Sequence, residues 1–283
     1  MAPSKVLILG CGYLGTRVGT LCHEQGMIVT GTTRNSQRFA EFAALGFKPE
    51  ILDLAHPTAS KLWGEPHDFV LYAMAAGRSG NPELAFASGA LACARLLREC
   101  EVRPRAFVFI SSTGVYGQND GAVVDEESAA NPAAARPQLL RKGEEELLEF
   151  SRKEDFPVVI LRLGGLYGPG RSPIEWLGRP DMRERLSRGG HEAYMNWVRV
   201  EDAARAAVLA FERGGAGEIY LVVDDEPVRR GEFLSHAASQ AKLPALSLPS
   251  RPTELGKRCS NRKARLDLGF RPAFPTYREG LVP

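Results

Sequence analysis

The sequence predicts an α/β protein built on a doubly wound parallel sheet of about seven strands, with a smaller C-terminal lobe. Three observations predict it. Apolar and β-branched runs alternate with helical patterns along most of the 283 residues. The runs are near-continuous in Val, Ile, Leu and Phe, as strands covered on both faces are. The first run breaks into three spaced glycines and then a helical pattern, as a strand does when it feeds a crossover helix.

Taken in order, strands are expected at 5–9, 27–33, 47–54, 68–75, 105–112, 156–163 and 218–223. Helices are expected between them at 16–25, 37–44, 83–101, 138–153 and 200–213. The first helix is set by Leu14, Val18, Leu21 and Cys22 at helical spacing. Segments 168–180 and 243–252 are rich in Pro and Gly and read as linkers or loops of the lobe. The resulting division puts 1–166 in the sheet domain, with 191–223 returning to it. The small lobe is 167–190 together with 224–283.

The glycines Gly10, Gly12 and Gly15 sit in the run Gly10-Cys11-Gly12-Tyr13-Leu14-Gly15. In this G-x-G-x-x-G pattern the first glycine allows a tight turn and the second lets a pyrophosphate approach the backbone. The third lets the helix pack close to the strand. The helix N-terminus offers unpaired N–H groups to phosphates. The strand before it and the helix after it are the context the motif requires, giving a Rossmann-type dinucleotide site. The second strand then ends in Thr33 and Arg34, with Arg38 a helical turn on. NAD sites usually place an Asp or Glu here, whereas a guanidinium grips a 2′-phosphate. NADP(H) is therefore expected over NAD(H), the alternative being that both arginines are solvated surface charge.

Ligands of such sheets sit outside the carboxyl ends of the strands. Those ends are Asp53-Leu54, Ala75-Ala76-Gly77, Ser111-Ser112-Thr113 and Gly164-Gly165-Leu166-Tyr167. Asp53 can accept a hydrogen bond from an adenine amino group or cap a helix.

Apolar residues make up 44% of the chain and charged ones 25%, ordinary globular values. A net charge of +2 gives no support to nucleic-acid binding. Five scattered cysteines without a C-x-x-C pair suggest no disulfide framework or metal site, and Cys22, Cys93 and Cys100 read as reduced core or near-core positions. No signal-peptide pattern and no apolar run of spanning length is seen, so the cytoplasm is the expected compartment and no membrane association is expected.

The strand end Ile110-Ser111-Ser112-Thr113-Gly114-Val115-Tyr116-Gly117 resembles the extended short-chain dehydrogenase/reductase superfamily, the NAD(P)-dependent epimerase/dehydratases. So do Leu161-Arg162-Leu163-Gly164-Gly165-Leu166-Tyr167-Gly168-Pro169-Gly170-Arg171, which would border the nicotinamide, and Asn196-Trp197-Val198-Arg199-Val200-Glu201-Asp202, with Arg199 where a His is usual. The opening Gly-Cys-Gly-Tyr-Leu-Gly, the run Tyr220–Pro227 and the tail from Ser260 resemble a subgroup of bacterial YeeZ-like proteins.

That resemblance implies a tyrosinate for proton transfer, a Lys four residues later and a Ser or Thr on the substrate oxygen. It carries the hydroxyl role to Ser112, and Ser111 is left to cap the turn. On the following helix Lys142 falls in register for the nicotinamide ribose, the alternative being one more charge on a solvated helix face, and this register puts Gln138 at the Tyr position. A Gln amide moves no proton near neutrality. Tyr116, Tyr167 and Tyr194 are candidate substitutes. Two classes follow: an NADP(H)-dependent oxidoreductase, epimerase or dehydratase acting on a sugar-like or small carbonyl substrate, or a non-catalytic NADP(H)-binding sensor. In the lobe Arg171, Arg179, Arg183, Arg185, Arg188 and His191 would either receive a phosphorylated substrate or be solvated loop charge. Helices 83–101 and 138–153 pair across two-fold axes in many family members, so a homodimer is compatible with their leucines.

Overall fold

Strand β1 (Lys5–Leu9) alternates its side chains between two cores, Val6 and Ile8 facing one and Leu7 and Leu9 the other. The computed structural model describes residues 2–76 and 80–281. After β1 come α1 (Tyr13–Glu24), β2 (Ile28–Thr33), α2 (Phe39–Ala44), β3 (Lys48–Ile51), β4 (Phe69–Tyr72), α3 (Gly89–Arg98) and β5 (Ala106–Ser112). The chain continues through β6 (Asp120–Val124), α4 (Ala135–Glu154), β7 (Val158–Leu163), β8 (Gly165–Tyr167), α5 (Pro173–Leu177) and α6 (Pro180–Ser187). It ends with β9 (Tyr194–Met195), β10 (Trp197–Arg199), α7 (Val200–Arg213), β11 (Ile219–Val222), β12 (Val228–Arg229), α8 (Arg230–Gln240), β13 (Gly256–Cys259) and α9 (Tyr277–Gly280).

Seven strands form one parallel sheet in the order β3-β2-β1-β4-β5-β7-β11. These are the seven segments expected from apolar runs, and the five expected helices are present as well. The order reverses between β1 and β4, which opens a crevice at their carboxyl ends. Helices α1 and α7 cover one face through Val18, Cys22, Ala203, Ala207 and Phe211. Helices α3 and α4 cover the other through Cys93, Leu97, Leu140 and Leu147. Burying each such leucine or valine stabilises the fold by about 1.5–3 kcal/mol before entropy is counted.

The lobe takes more of the chain than expected. Strand β6, from the first 166 residues, pairs with β13 in a four-stranded sheet ordered β12-β9-β13-β6. Strand β9 also joins that sheet and β10 pairs with β8 in a separate two-stranded sheet, while α7 and β11 return to the main domain. Short two- to five-residue strands carry too little alternation to stand out in sequence. The lobe core stacks Trp197 on Phe233, ring centroids 4.5 Å apart, with Tyr277 beside them. Within 168–180, expected as a loop, Ser172 accepts the Ile174 N–H and Pro173 opens α5. Segment 243–252 holds no helix or strand.

Candidate functional site

Three glycines shape the end of the crevice nearest β1. Gly10 has φ +91°, and a Cβ there would meet the Ala73 backbone at 2.9 Å. A Cβ on Gly15 would lie 2.6 Å from the Gly10 carbonyl oxygen, so α1 packs this close only on glycine. Gly12 is different: nothing lies within 4 Å of its Cβ position. It forms the start of α1, has no side-chain cap, and leaves the first-turn N–H groups facing open space. Thr32 of β2 pins the loop, its hydroxyl accepting the Gly10 N–H at 3.0 Å and donating to the Ile8 carbonyl at 3.1 Å.

A cavity of about 590 Å³ runs from this loop across the strand ends. Gly10, Gly12, Tyr13, Leu14, Gly15, Thr33, Arg34, Arg38, Ala75, Ser111, Ser112, Gly165 and Leu166 all line it. Asp53, Leu54 and Ala76 line a smaller adjoining cavity of about 80 Å³, which shares Arg34 and Ala75 with the larger one. Asp53 uses Oδ1 to accept the Ala55 N–H, closing a turn. Gly77 lies outside the described residues. The open position at Gly12, the orphan N–H groups and the arginines fit a dinucleotide with its phosphates on the loop.

Arg34 is exposed at the end of β2, on the rim of both cavities. Arg38 is more committed. It donates to the Cys11 carbonyl at 2.8 Å and to both Glu41 oxygens, and it lies over the Phe42 ring. Burial pushes the Cys11 thiol up to about 11, so this loop cysteine stays protonated at neutrality.

At the far end, Ser112 Oγ accepts the Gly114 N–H at 3.0 Å and so caps the turn after β5, the role expected of Ser111. Ser111 instead donates to Glu144 Oε1 at 2.6 Å. Ser112 thus lines the cavity with its own O–H still available to donate.

Helix α4 corrects the expected register. Lys142 points to solvent and pairs with Glu83 at 2.7 Å, away from the cavity. Gln138 is exposed and donates to the Pro132 and Ala133 carbonyls. The face of α4 that lines the cavity carries Arg136, Pro137 and Leu140. Two close contacts fix this rotation. Gly143 lies against the Phe86 carbonyl, where a Cβ would be 1.9 Å away, and Glu144 is fully buried against Arg162 and Ser111. A two-residue shift turns a helix by roughly 200°, which is why 138 and 142 face outward.

Tyr116 is likewise not at the reacting end. Its ring is buried, its hydroxyl donates to the Asp125 carbonyl at 2.7 Å and accepts from Arg162 at 2.6 Å, and burial raises its pKa. Tyr167 is buried in the lobe core, and Tyr194 belongs to the small sheet. Of the six basic lobe residues, Arg171 lines the cavity. Arg179 pairs with Asp181, Arg188 with Glu184, and Arg183 donates to the Pro244 carbonyl at 2.5 Å. All five cysteines are free thiols, four of them buried. No helix among the described residues is long and apolar enough to cross a membrane.

Thr32, Phe86, Arg136 and Leu140 line the cavity without having stood out in the sequence. A Glu on α4 facing an Arg on β7 was the available signal for Arg136 and Leu140, since a buried carboxylate fixes the inward face of its helix.

The sequence profile of the NAD dependent epimerase/dehydratase family matches residues 6–222. The chain is 28% identical to protein YeeZ of Escherichia coli (strain K12) over 284 aligned residues, 96% of each chain. It is 31% identical to a 3-diazoavenalumate denitrifying reductase of a Streptomyces species over 153 residues, 48% of this chain and 50% of that one. Among solved structures, UDP-glucuronic acid 4-epimerase from Bacillus cereus in complex with NAD superposes with a TM-score of 0.78. That match has 20% identity and covers 98% of this chain and 96% of the other, a likeness of fold.

Proposed function

Because this chain belongs to the NAD dependent epimerase/dehydratase family, we propose that it binds NADP(H) in the main cavity and reduces a small carbonyl substrate there. The observation that carries this reading is the continuity of one cavity from the glycine loop and Arg34 to Ser112 and Gly165. When bound, the nicotinamide cofactor supplies the hydride. Gly12 and the first turn of α1 hold the pyrophosphate, and Arg34 receives the 2′-phosphate, with Arg38 beside it. Ser112 would hold the substrate oxygen by a hydrogen bond donated from its hydroxyl, keeping its own proton.

Reduction is favoured over epimerisation or dehydration by what α4 lacks. Oxidising an alcohol needs a base to take the hydroxyl proton, and a poised acid or base is worth about 10²–10⁴ in rate. Arg136, Pro137 and Leu140 offer none near neutrality. In the reducing direction the new alkoxide can take its proton from water. The resemblance to a protein named as a reductase supports the same direction. The same α4 residues favour a second reading, an NADP(H)-binding protein without turnover.

Calorimetry with NADPH and NADH, followed by NADPH consumption over a panel of small carbonyls and nucleotide sugars, separates the two. Turnover lost in Ser112→Ala supports the reductase. Tight NADPH binding with no turnover on any substrate supports the second reading, and no binding of either nucleotide rejects both.

A further inference from the structure

We propose that the Ser112 end of the cavity takes a substrate carrying an oxyanion, a carboxylate or phosphoryl group, and that Arg136 is the residue that holds it. This rests on the reductase reading and adds the substrate class. Among the described residues, four arginines, Arg34, Arg38, Arg136 and Arg171, line the cavity, and no Asp or Glu does. Arg34 and Arg38 stand at the end of β2, and Arg171 lies over the Tyr13 ring at 5.7 Å, beside the glycine loop. All three are at the end assigned to cofactor phosphates. Arg136 is on the first turn of α4, across the sheet from them, and has no phosphate of the cofactor to meet.

Arg136 is also ready to bind. It forms no ion pair among the described residues, and its guanidinium is held over the Phe86 ring at 4.9 Å. A ring orients a guanidinium through its π face while leaving the N–H edge free. Its neighbour Pro137 approaches the Ser112 turn: a Cβ at Gly114 would lie 3.3 Å from Ser112 Oγ and 3.7 Å from Pro137 Cγ. The hydroxyl that would meet the reacting oxygen and the guanidinium therefore flank one end of the cavity. Leu140 and Phe86 supply an apolar wall there, while Arg136 itself is exposed and so accessible to an incoming anion. A 2-oxo acid, with its carbonyl adjacent to a carboxylate, is the smallest substrate that would use both groups.

The test is titration of oxamate, inorganic phosphate and neutral oxamide into the NADPH-loaded protein, followed by thermal shift and calorimetry. The same titrations are run on Arg136→Gln and Arg136→Lys. Oxamate binding that weakens at least tenfold in Arg136→Gln and partly returns in Arg136→Lys, with oxamide inert, supports a carboxylate. The same pattern with phosphate alone assigns a phosphoryl group. Anion binding that is equal in wild type and Arg136→Gln overturns the proposal, as does absence of anion binding to protein shown to hold NADPH. Failure of NADPH itself to bind rejects the cofactor reading instead, and oxamate and phosphate titrated into the nucleotide-free protein then decide whether Arg136 binds anions.

Discussion

Glu144 on α4 grips Arg162 on β7 with both carboxylate oxygens, Nε to Oε1 at 3.0 Å and Nη2 to Oε2 at 2.8 Å, and both side chains are buried. Ser111 and Arg141 donate to the same carboxylate and the Tyr116 hydroxyl accepts from the same guanidinium, so five side chains close on one another. The pair ties the helix bearing Arg136 to the strand bordering the cavity. Its rotational setting of α4 decides which side chains face the cavity.

Removing one partner leaves the other charged, buried and unpaired. Glu144→Gln should therefore destabilise the protein by about 3–5 kcal/mol, read as a shift of the urea midpoint. The double variant Glu144→Leu, Arg162→Met should recover part of that loss, because neither charge then remains without a partner. A double variant no more stable than the single one would contradict this account of the pair.

Lys142 makes the opposite prediction. It lies on the outer face of α4 with its ammonium on Glu83, so Lys142→Ala should leave NADPH affinity and turnover unchanged. A lysine that held the nicotinamide ribose would weaken binding when truncated. Calorimetry on the variant decides between the two placements.

The fold was legible where elements are long and covered on both faces. The inner sheet strands announce themselves as apolar or β-branched runs, whereas the edge strand β3, Lys48-Pro49-Glu50-Ile51, has no buried residue; the glycine loop reveals itself because β1 and α1 flank it. The lobe was harder to read. Its strands β9 and β12 have two residues each, and their partners are distant in sequence. In the site, the strand-end residues near Gly12 and Ser112 follow from topology alone. The face of α4 does not. Lys142 and Glu146 share one side of the helix, Leu140 and Glu144 another, and only the position of Arg162 selects the second as the inner face. Three consecutive glutamates conceal which one is buried.

Arg34 tests the cofactor preference. Its guanidinium stands at the end of β2 on the rim of the main cavity and forms no ion pair among the described residues. A hydrogen bond to a charged group is worth about 1.5–3 kcal/mol, so Arg34→Ala should weaken NADPH roughly ten- to a hundredfold. NADH affinity should change little. Equal losses for both nucleotides, measured by calorimetry, would remove the 2′-phosphate role from Arg34.

Asp224 gives the protein a pH dependence opposite to that of a salt-bridged carboxylate. It follows β11 and is buried. Oδ2 has no partner, and Oδ1 accepts only a long 3.4 Å bond from the Glu226 N–H. Burial, with the nearby carboxylates of Glu226, Asp225 and Asp202 acting in the same direction, pushes its pKa from the ordinary 3.8 up to about 8. Across that window the folded chain keeps a proton that the unfolded chain has released. Folding then takes up a proton, so this group's contribution to stability falls as pH rises, by up to about 1.4 kcal/mol per pH unit. Above the folded pKa the loss levels off. Asp224→Asn has no proton to lose, and its amide keeps a similar shape. Thermal melts from about pH 4 to pH 9 should show wild type losing stability relative to Asp224→Asn, with the gap widening up to about pH 8. Melting curves that stay parallel over the whole range would mean that Asp224 is charged in the folded protein and that water or a side-chain rearrangement supplies the partner Oδ2 lacks.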